Sequence, residues 1–232
     1  RSDLFTYELE AGRLVRINKT PGYEDRHFGA FSVSERFIAM HDSRENGVIL
    51  LDATTKQVVH HLQGKTQVVA SCFNEQENVL LTGGGQGTVL VWDLRTMQCR
   101  SRVYDDGSAT VTALAVAGEY YAVGSNGGIV QLYRRDAFET ETPKPVKQFQ
   151  NLTTDCTRLA SAGDVLLMAS SRNKAAVRCA SLQTQRVYPN FPPPCGDLVF
   201  QEVAVSPGSG YVALGSNAGT VGLFRLTESG TY

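Results

Sequence analysis

An all-β fold assembled from copies of one unit is what this sequence of 232 residues predicts, on three observations. Three segments stack without a gap: Leu81-Thr-Gly-Gly-Gly-Gln-Gly-Thr-Val-Leu-Val-Trp92, Ala122-Val-Gly-Ser-Asn-Gly-Gly-Ile-Val-Gln-Leu-Tyr133 and Ala213-Leu-Gly-Ser-Asn-Ala-Gly-Thr-Val-Gly-Leu-Phe224, each ending on an aromatic residue. Trp92 and Tyr133 stand 41 residues apart and Tyr133 and Phe224 stand 91 apart, which leaves room for one degenerate copy with Ala176-Val-Arg-Cys-Ala-Ser-Leu182 as its strand. Within each copy, short apolar runs are separated by glycine-rich turns. A period of roughly 40 to 45 residues with four short strands per copy is the pattern of a WD40-type β-propeller blade, and Trp92-Asp93 is the dipeptide that gives such blades their name.

The elements follow in chain order. Phe5-Thr-Tyr-Glu-Leu9 and Arg13-Leu-Val-Arg-Ile17 read as the second half of a blade, and Phe37-Ile-Ala-Met-His-Asp42 with Val48-Ile-Leu-Leu-Asp52 belong to the first whole one. Val79-Leu-Leu-Thr82 and Val89-Leu-Val-Trp92 are apolar on both faces, as strands are when a sheet is covered on either side. Gly83 to Gly85 with Gly87, and Gly124, Gly128, Gly215 and Gly219 at the same places in later copies, are expected to supply the positive φ of tight hairpins. Asp105-Asp-Gly-Ser108 and Ser206-Pro-Gly-Ser-Gly210 are turn clusters, and no long amphipathic helix is predicted. One domain is expected, with whole blades over 27–66, 67–108, 109–152 and 153–196 and partial blades over 1–26 and 197–232. A closed ring commonly has seven blades, roughly 280 to 300 residues at this spacing. The chain is therefore expected to be the later part of a larger ring, with upstream blades and an upstream strand that completes the last one. A five-bladed ring closed by the first residues fits the strand count less well.

Charge is nearly balanced, with 22 Lys and Arg against 23 Asp and Glu. No global field draws the chain to nucleic acid or an anionic membrane, so any RNA contact must be local. Cys72, Cys99, Cys156, Cys179 and Cys195 are odd in number and show no C-x-x-C spacing, which fits reduced thiols in an intracellular compartment. No apolar run approaches the roughly 18 residues of a membrane helix, and Arg1-Ser-Asp-Leu-Phe-Thr6 does not open a signal peptide. The absent initiator Met suggests that a segment precedes Arg1.

No motif points to catalysis, a cofactor or a small-molecule substrate. Gly83-Gly-Gly-Gln-Gly87 lacks the following helix that a phosphate loop requires, and a strand follows instead. His27, His41, His60 and His61 offer no convergent zinc spacing, and adjacent His60 and His61 point to opposite faces of a strand. Many blades of this type carry a His, Ser/Thr, Asp and Trp hydrogen-bond network. Trp92 and Thr82 match it and are assigned structural roles together with Asp93, but Gln86 stands where the network's Asp belongs. Arg134, Arg135, Lys144 and Lys147 flank the loop between the third and fourth strands of one blade and are candidates for contact with RNA phosphate or an acidic partner. Arg95, Arg100 and Arg102 form a weaker cluster one blade earlier. Tyr188-Pro-Asn-Phe-Pro-Pro-Pro-Cys195 is a stiff loop, and its Phe191 and Pro193 are candidate partner contacts.

The C-terminal half carries more specific residues. Pro143-Lys-Pro-Val-Lys147, Asn151-Leu-Thr-Thr154, Lys174-Ala-Ala-Val-Arg178, Asn190-Phe-Pro192, Ser206-Pro-Gly-Ser-Gly-Tyr-Val-Ala-Leu-Gly-Ser-Asn217 and Leu223-Phe-Arg-Leu226, in that order, resemble the closing blades of the U3 small nucleolar RNA-associated protein 18 family. The resemblance is collinear from Phe5 to Leu226. It implies a seven-bladed WD40 subunit of the UTP-B subcomplex of the nucleolar small-subunit processome, a non-catalytic scaffold without cofactor or metal that supports U3-dependent pre-rRNA processing and 40S ribosome biogenesis. Its implied partners are other UTP-B WD40 proteins and processome subunits, with U3 RNA and pre-rRNA in the same particle, and no membrane. The family also implies an N-terminal extension that recruits a helicase, and the residues of this chain contain none. Two departures are Thr227-Glu228, where the family has His or Tyr after Arg-Leu, and the altered interval Pro192-Pro-Pro-Cys-Gly196. The alternative reading is a WD40 scaffold of another intracellular complex.

Overall fold

The computed structural model describes residues 5–16, 28–42, 45–74, 76, 78–192, 196–208 and 210–226. They form six antiparallel sheets in chain order, each a blade or part of one. The first is a hairpin of β1 (Phe5–Glu8) and β2 (Arg13–Arg16). Four sheets of four strands follow: β3 to β6 (Phe28–Val33, Phe37–Asp42, Gly47–Asp52, Val58–Gln63) and β7 to β10 (Val68–Phe73, Val79–Gly84, Thr88–Asp93, Gln98–Tyr104). Next come β11 to β14 (Val111–Ala117, Tyr120–Ser125, Val130–Arg134, Lys147–Phe149) and β15 to β18 (Arg158–Ala162, Val165–Ala169, Val177–Ser181, Arg186–Val187). The last sheet has three strands, β19 to β21 (Phe200–Val205, Tyr211–Ser216, Val221–Arg225). Among the described residues the one helix is a short 3-10 turn, Arg135–Glu139. This is a partial WD40-type propeller with four whole blades and a partial one at either end. Ile17, His27, Pro193, Cys195 and Thr227-Glu228 lie outside the described residues.

Strand order within each blade follows sequence order, and the first strands of successive blades lie side by side, β3 by β7, β7 by β11, β11 by β15 and β15 by β19. The blades are thus arranged radially, with the first strand innermost and the fourth on the rim. Successive side chains of a strand point to opposite faces, so a blade's two middle strands feed two different cores. Leu80, Leu90 and Trp92 pack with Phe37, Ala39 and Leu50 of the preceding blade. Leu81, Val89 and Val91 pack with Val111, Leu114, Val123 and Tyr133 of the following one. Two further clusters join the third whole blade to the fourth and the fourth to the last. The expected double-faced apolarity is therefore the direct result of one hydrophobic core per junction, and the burial strings agree, with β8 and β9 buried almost throughout and rim strand β10 mostly open.

The glycines divide into two groups, which corrects the expectation of a single role. Gly87, Gly128 and Gly219 do adopt positive φ in the hairpin turns. Gly83 and Gly124 are not in that conformation. A Cβ on Gly83 would meet Val111 Cγ1 at 2.5 Å, and one on Gly124 would meet Cys156 Sγ at 2.8 Å. They are small because the start of the next blade passes against them, Val111 on β11 and Cys156 just before β15. His41 occupies the same place on β4, paired opposite Val48 as Gly83 is opposite Val89.

Candidate interaction surface

The loop between β13 and β14 is where the first candidate residues lie. Arg134 ends β13 and Lys147 opens β14, beside Leu132 in the ladder. Between them, the 3-10 turn drives Phe138 into the core against Tyr121 and Tyr133, with ring centroids at 4.9 and 5.4 Å. That anchor fastens the loop onto the rim of the preceding blade. The Ser101 hydroxyl donates to the Phe138 carbonyl at 2.7 Å, Arg100 Nη2 pairs with Glu139 Oε1 at 2.7 Å, and Tyr104 N–H donates to the Glu141 carbonyl at 2.7 Å. A rim strand otherwise offers an open hydrogen-bonding edge, and here part of it is covered.

The four cations do not act alike. Arg134 is exposed and pairs with Asp136 at 3.4 Å. Arg135 instead turns inward, with its guanidinium 5.8 Å from the centre of the Tyr121 ring and its Nε and Nη2 atoms buried. Its charge reaches Cys72, whose thiol is nevertheless pushed up to about 12 by burial. Lys144 and Lys147 point to solvent. The sequence set of four thus resolves into three surface cations and one that braces a junction, a distinction invisible in a run of basic letters. Phe191 also packs inward, against the cluster that contains Val165, Leu167 and Phe200.

Thr82 lies on β8, Trp92 on β9 and Asp93 at the end of β9. Trp92 Nε1 donates to Thr82 Oγ1 at 2.9 Å inside the blade, while Gln86 occupies the hairpin turn at φ 60°. Asp93 closes the turn after the third strand, accepting the Arg95 N–H at 2.9 Å and pairing with its guanidinium at 2.9 Å, which lowers its carboxyl to about 2. Asp52 does the same one blade earlier, accepting the N–H groups of Thr54 and Thr55 at 2.9 and 2.7 Å.

Several buried polar groups give no sign of themselves in the sequence, because their partners lie on neighbouring blades. His41 Nε2 lies 2.7 Å from Ser71 Oγ, which lies 2.7 Å from Ser32 Oγ. Burial lowers the imidazole to about 4. In the next whole blades, the Tyr133 hydroxyl and the Ser108 hydroxyl both donate to the Asp105 carboxylate, which burial nevertheless pushes up. Cys156 and Cys179 are buried thiols pushed up to about 12 by desolvation, which disfavours the nucleophilic thiolate. One grouping with metal-ligating atoms exists among the described residues: Asp42, Glu45 and His61 bring theirs within 4.8 Å of one another. The spacing rules pass over it because the three come from β4, the turn after it and β6. No helix among the described residues is long and apolar enough to cross a membrane.

A row of WD40-type blades, each packed through a hydrophobic core on the next, defines the class: part of a β-propeller. A computationally designed protein of known crystal structure, Ika8, has the same fold, with a TM-score of 0.69 at 16% identity over 96% of this chain and 64% of its own. No protein-family model matches the chain. By sequence it is 33% identical to the Arabidopsis thaliana U3 small nucleolar RNA-associated protein 18 homolog over 97% of this chain and 42% of that protein. The Homo sapiens homolog is 32% identical over 96% of this chain and 42% of that protein. Drosophila melanogaster WD repeat-containing protein 82 is 24% identical over 82% of this chain and 56% of that protein. Along nearly its whole length the chain is similar to U3 small nucleolar RNA-associated protein 18 homologs of plants, animals and yeast. It spans less than half the length of the Arabidopsis thaliana and Homo sapiens homologs.

Proposed function

We propose that the chain is a non-catalytic scaffold of ribosome biogenesis, acting in the nucleolar small-subunit processome alongside other UTP-B propellers, U3 RNA and pre-rRNA. The observation that carries this reading is the near-complete coverage of the chain at 33% identity by a protein named for its association with U3 small nucleolar RNA. The architecture supports it. Apolar side chains fill the junctions between blades, and the buried polar pairs His41–Ser71 and Tyr133–Asp105 are bonded across junctions.

The open ends support a larger ring, up to the seven blades expected of the intact domain. Val221 and Leu223 of the last blade, and Phe31 and Val33 of the first whole blade, are exposed apolar residues on the faces where further blades would pack. A tagged chain purified from nuclear extract is expected to bring down U3 RNA and other processome proteins above an unrelated propeller control. Recovery of neither overturns the proposal. The similarity to WD repeat-containing protein 82 favours the second reading, a scaffold of a different complex, which stable partners from outside the nucleolus would support.

A further inference from the structure

We infer that rim strand β10 and the β13–β14 loop form one continuous cationic surface that binds the phosphate backbone of single-stranded RNA. In the sequence its two parts are separate clusters a blade apart. In the structure, the Phe138 anchor, the Arg100–Glu139 pair and the Tyr104-to-Glu141 backbone bond join them. Residues 93–104 and 134–149 hold seven Lys and Arg against Asp93, Asp136, Glu139 and Glu141, an excess of three positive charges in a chain whose formal net charge is −1.

Much of that charge is committed locally. Arg95 is held by Asp93, Arg100 by Glu139 and Arg134 by Asp136, and Arg135 lies over Tyr121. Arg102, Lys144 and Lys147 remain, with no ion pair among the described residues.

The composition of the surface selects the partner. A protein interface draws its energy from a few buried aromatic or large aliphatic anchors. The one large hydrophobic residue strongly exposed here is Val146. Separated cations with no apolar centre suit a repeating phosphate, which needs charge at intervals and no pocket. The surface is also independent of the two open faces, so it stays available when further blades pack there. The inference rests on the proposed function for the identity of the RNA met in the cell, and on the geometry for its chemistry.

The test is the fluorescence anisotropy of a labelled single-stranded RNA of about 20 nucleotides and mixed sequence, titrated with the full chain at low and moderate salt. Three phosphate contacts predict a slope of about −2 in log affinity against log salt, or about a 20-fold weakening from 50 to 200 mM. R102E/K144E/K147E is expected to weaken binding at least about ten-fold at the lower salt and to flatten the slope, and R102Q/K144Q/K147Q to fall between. K65E/K174E, which reverses two exposed cations elsewhere, is expected to stay within about two-fold. Circular dichroism checks that each variant is folded.

An unchanged affinity in both triple variants overturns the inference and leaves the cations as guards of the strand edge. An equal loss in the control also overturns it, since binding is then set by net charge alone. So does a poly-glutamate peptide that binds this surface while RNA does not. If anisotropy fails but the tagged chain still recovers U3 RNA, only this inference falls. If anisotropy succeeds and nuclear recovery fails, only the proposed function does.

Discussion

Leu132 on β13 and Leu223 on β21 hold the same place in the repeat, each opposite the alanine at the third position of the preceding strand. Leu132 is 0% exposed and Leu223 68%. The adjacent pair behaves alike, with Val130 at 0% and Val221 at 74%. Neither the residue type nor the hairpin differs, so burial on this fold belongs to the neighbour and not to the strand. What the repeat encodes is a two-faced sheet, and each face is stabilised only once another blade is laid against it. The other face of the last blade makes the same point, since Val212 and Leu214 on it are fully buried against β15 to β18.

The sharpest way to break the comparison is to truncate both leucines. Leu132→Ala removes a side chain at the centre of a junction and is expected to cost about 3 kcal/mol, transfer and cavity together. Leu223→Ala in the same chain removes a side chain already in water and is expected to change stability by less than about 0.5 kcal/mol. Urea unfolding followed by circular dichroism measures both. Equal costs would mean that the face of β21 is covered in solution by a contact between copies. In a chain carrying the further blades, Leu223→Ala is expected to become as costly as Leu132→Ala.

A second comparison sets His41 against the glycines at its repeat position. Burial holds the imidazole at about 4, well below its ordinary value of 6.5. Between those values an unfolded chain takes up a proton that the folded chain refuses. The stability that the neutral ring permits is therefore fully present above pH 6.5 and is lost as the pH falls toward 4. The loss is expected to reach about 3 kcal/mol. Thermal midpoints from pH 7.5 to 4.5 should fall more steeply for the wild type than for His41→Gln, which has no proton to gain. Parallel curves would show that the His41–Ser71–Ser32 contact does not govern the acid limb.

Most of the fold was legible because its signals are local and repeated. Aromatic ends to the third strands, glycine-bearing hairpins and double-faced apolar runs fall within a few residues of one another, so one sequence displays them several times. Trp92 and Thr82 are likewise close enough in sequence to be read as a pair. The candidate surface was legible only in part. The letters of Arg134 and Arg135 are the same, and only the inward course of the turn toward Tyr121 separates an exposed cation from a brace. Ser71 and Ser32 lie 30 and 39 positions from the partners they meet, and Asp105 lies 28 from Tyr133. Such distances follow from stacking blades and have no spacing rule within one of them.

The small residue at His41's position in the other blades offers the finest test of the difference between a closed junction and an open end. At Gly124 a Cβ would lie 2.8 Å from Cys156 Sγ and 3.0 Å from its Cβ, with the Ala113 Cβ at 3.4 Å on the other side. At Gly215 the nearest atom would be the Glu202 carbonyl at 3.7 Å, an ordinary contact. Neither glycine has positive φ, so a methyl group adds volume without backbone strain. Gly124→Ala must push two blades apart or displace the Cys156 thiol, and overpacking of that kind costs about 1 to 3 kcal/mol. Gly215→Ala meets no such obstacle and reduces the freedom of the unfolded chain, so it is expected to be neutral or to stabilise by up to about 1 kcal/mol. The double variant Gly124→Ala/Cys156→Ala should recover part of the loss at the closed junction, because the atom in the way has gone. No recovery would mean that Gly124 is small for the sake of its own strand, and the distinction between the two glycines would then rest on their sheets and not on the blade beside them.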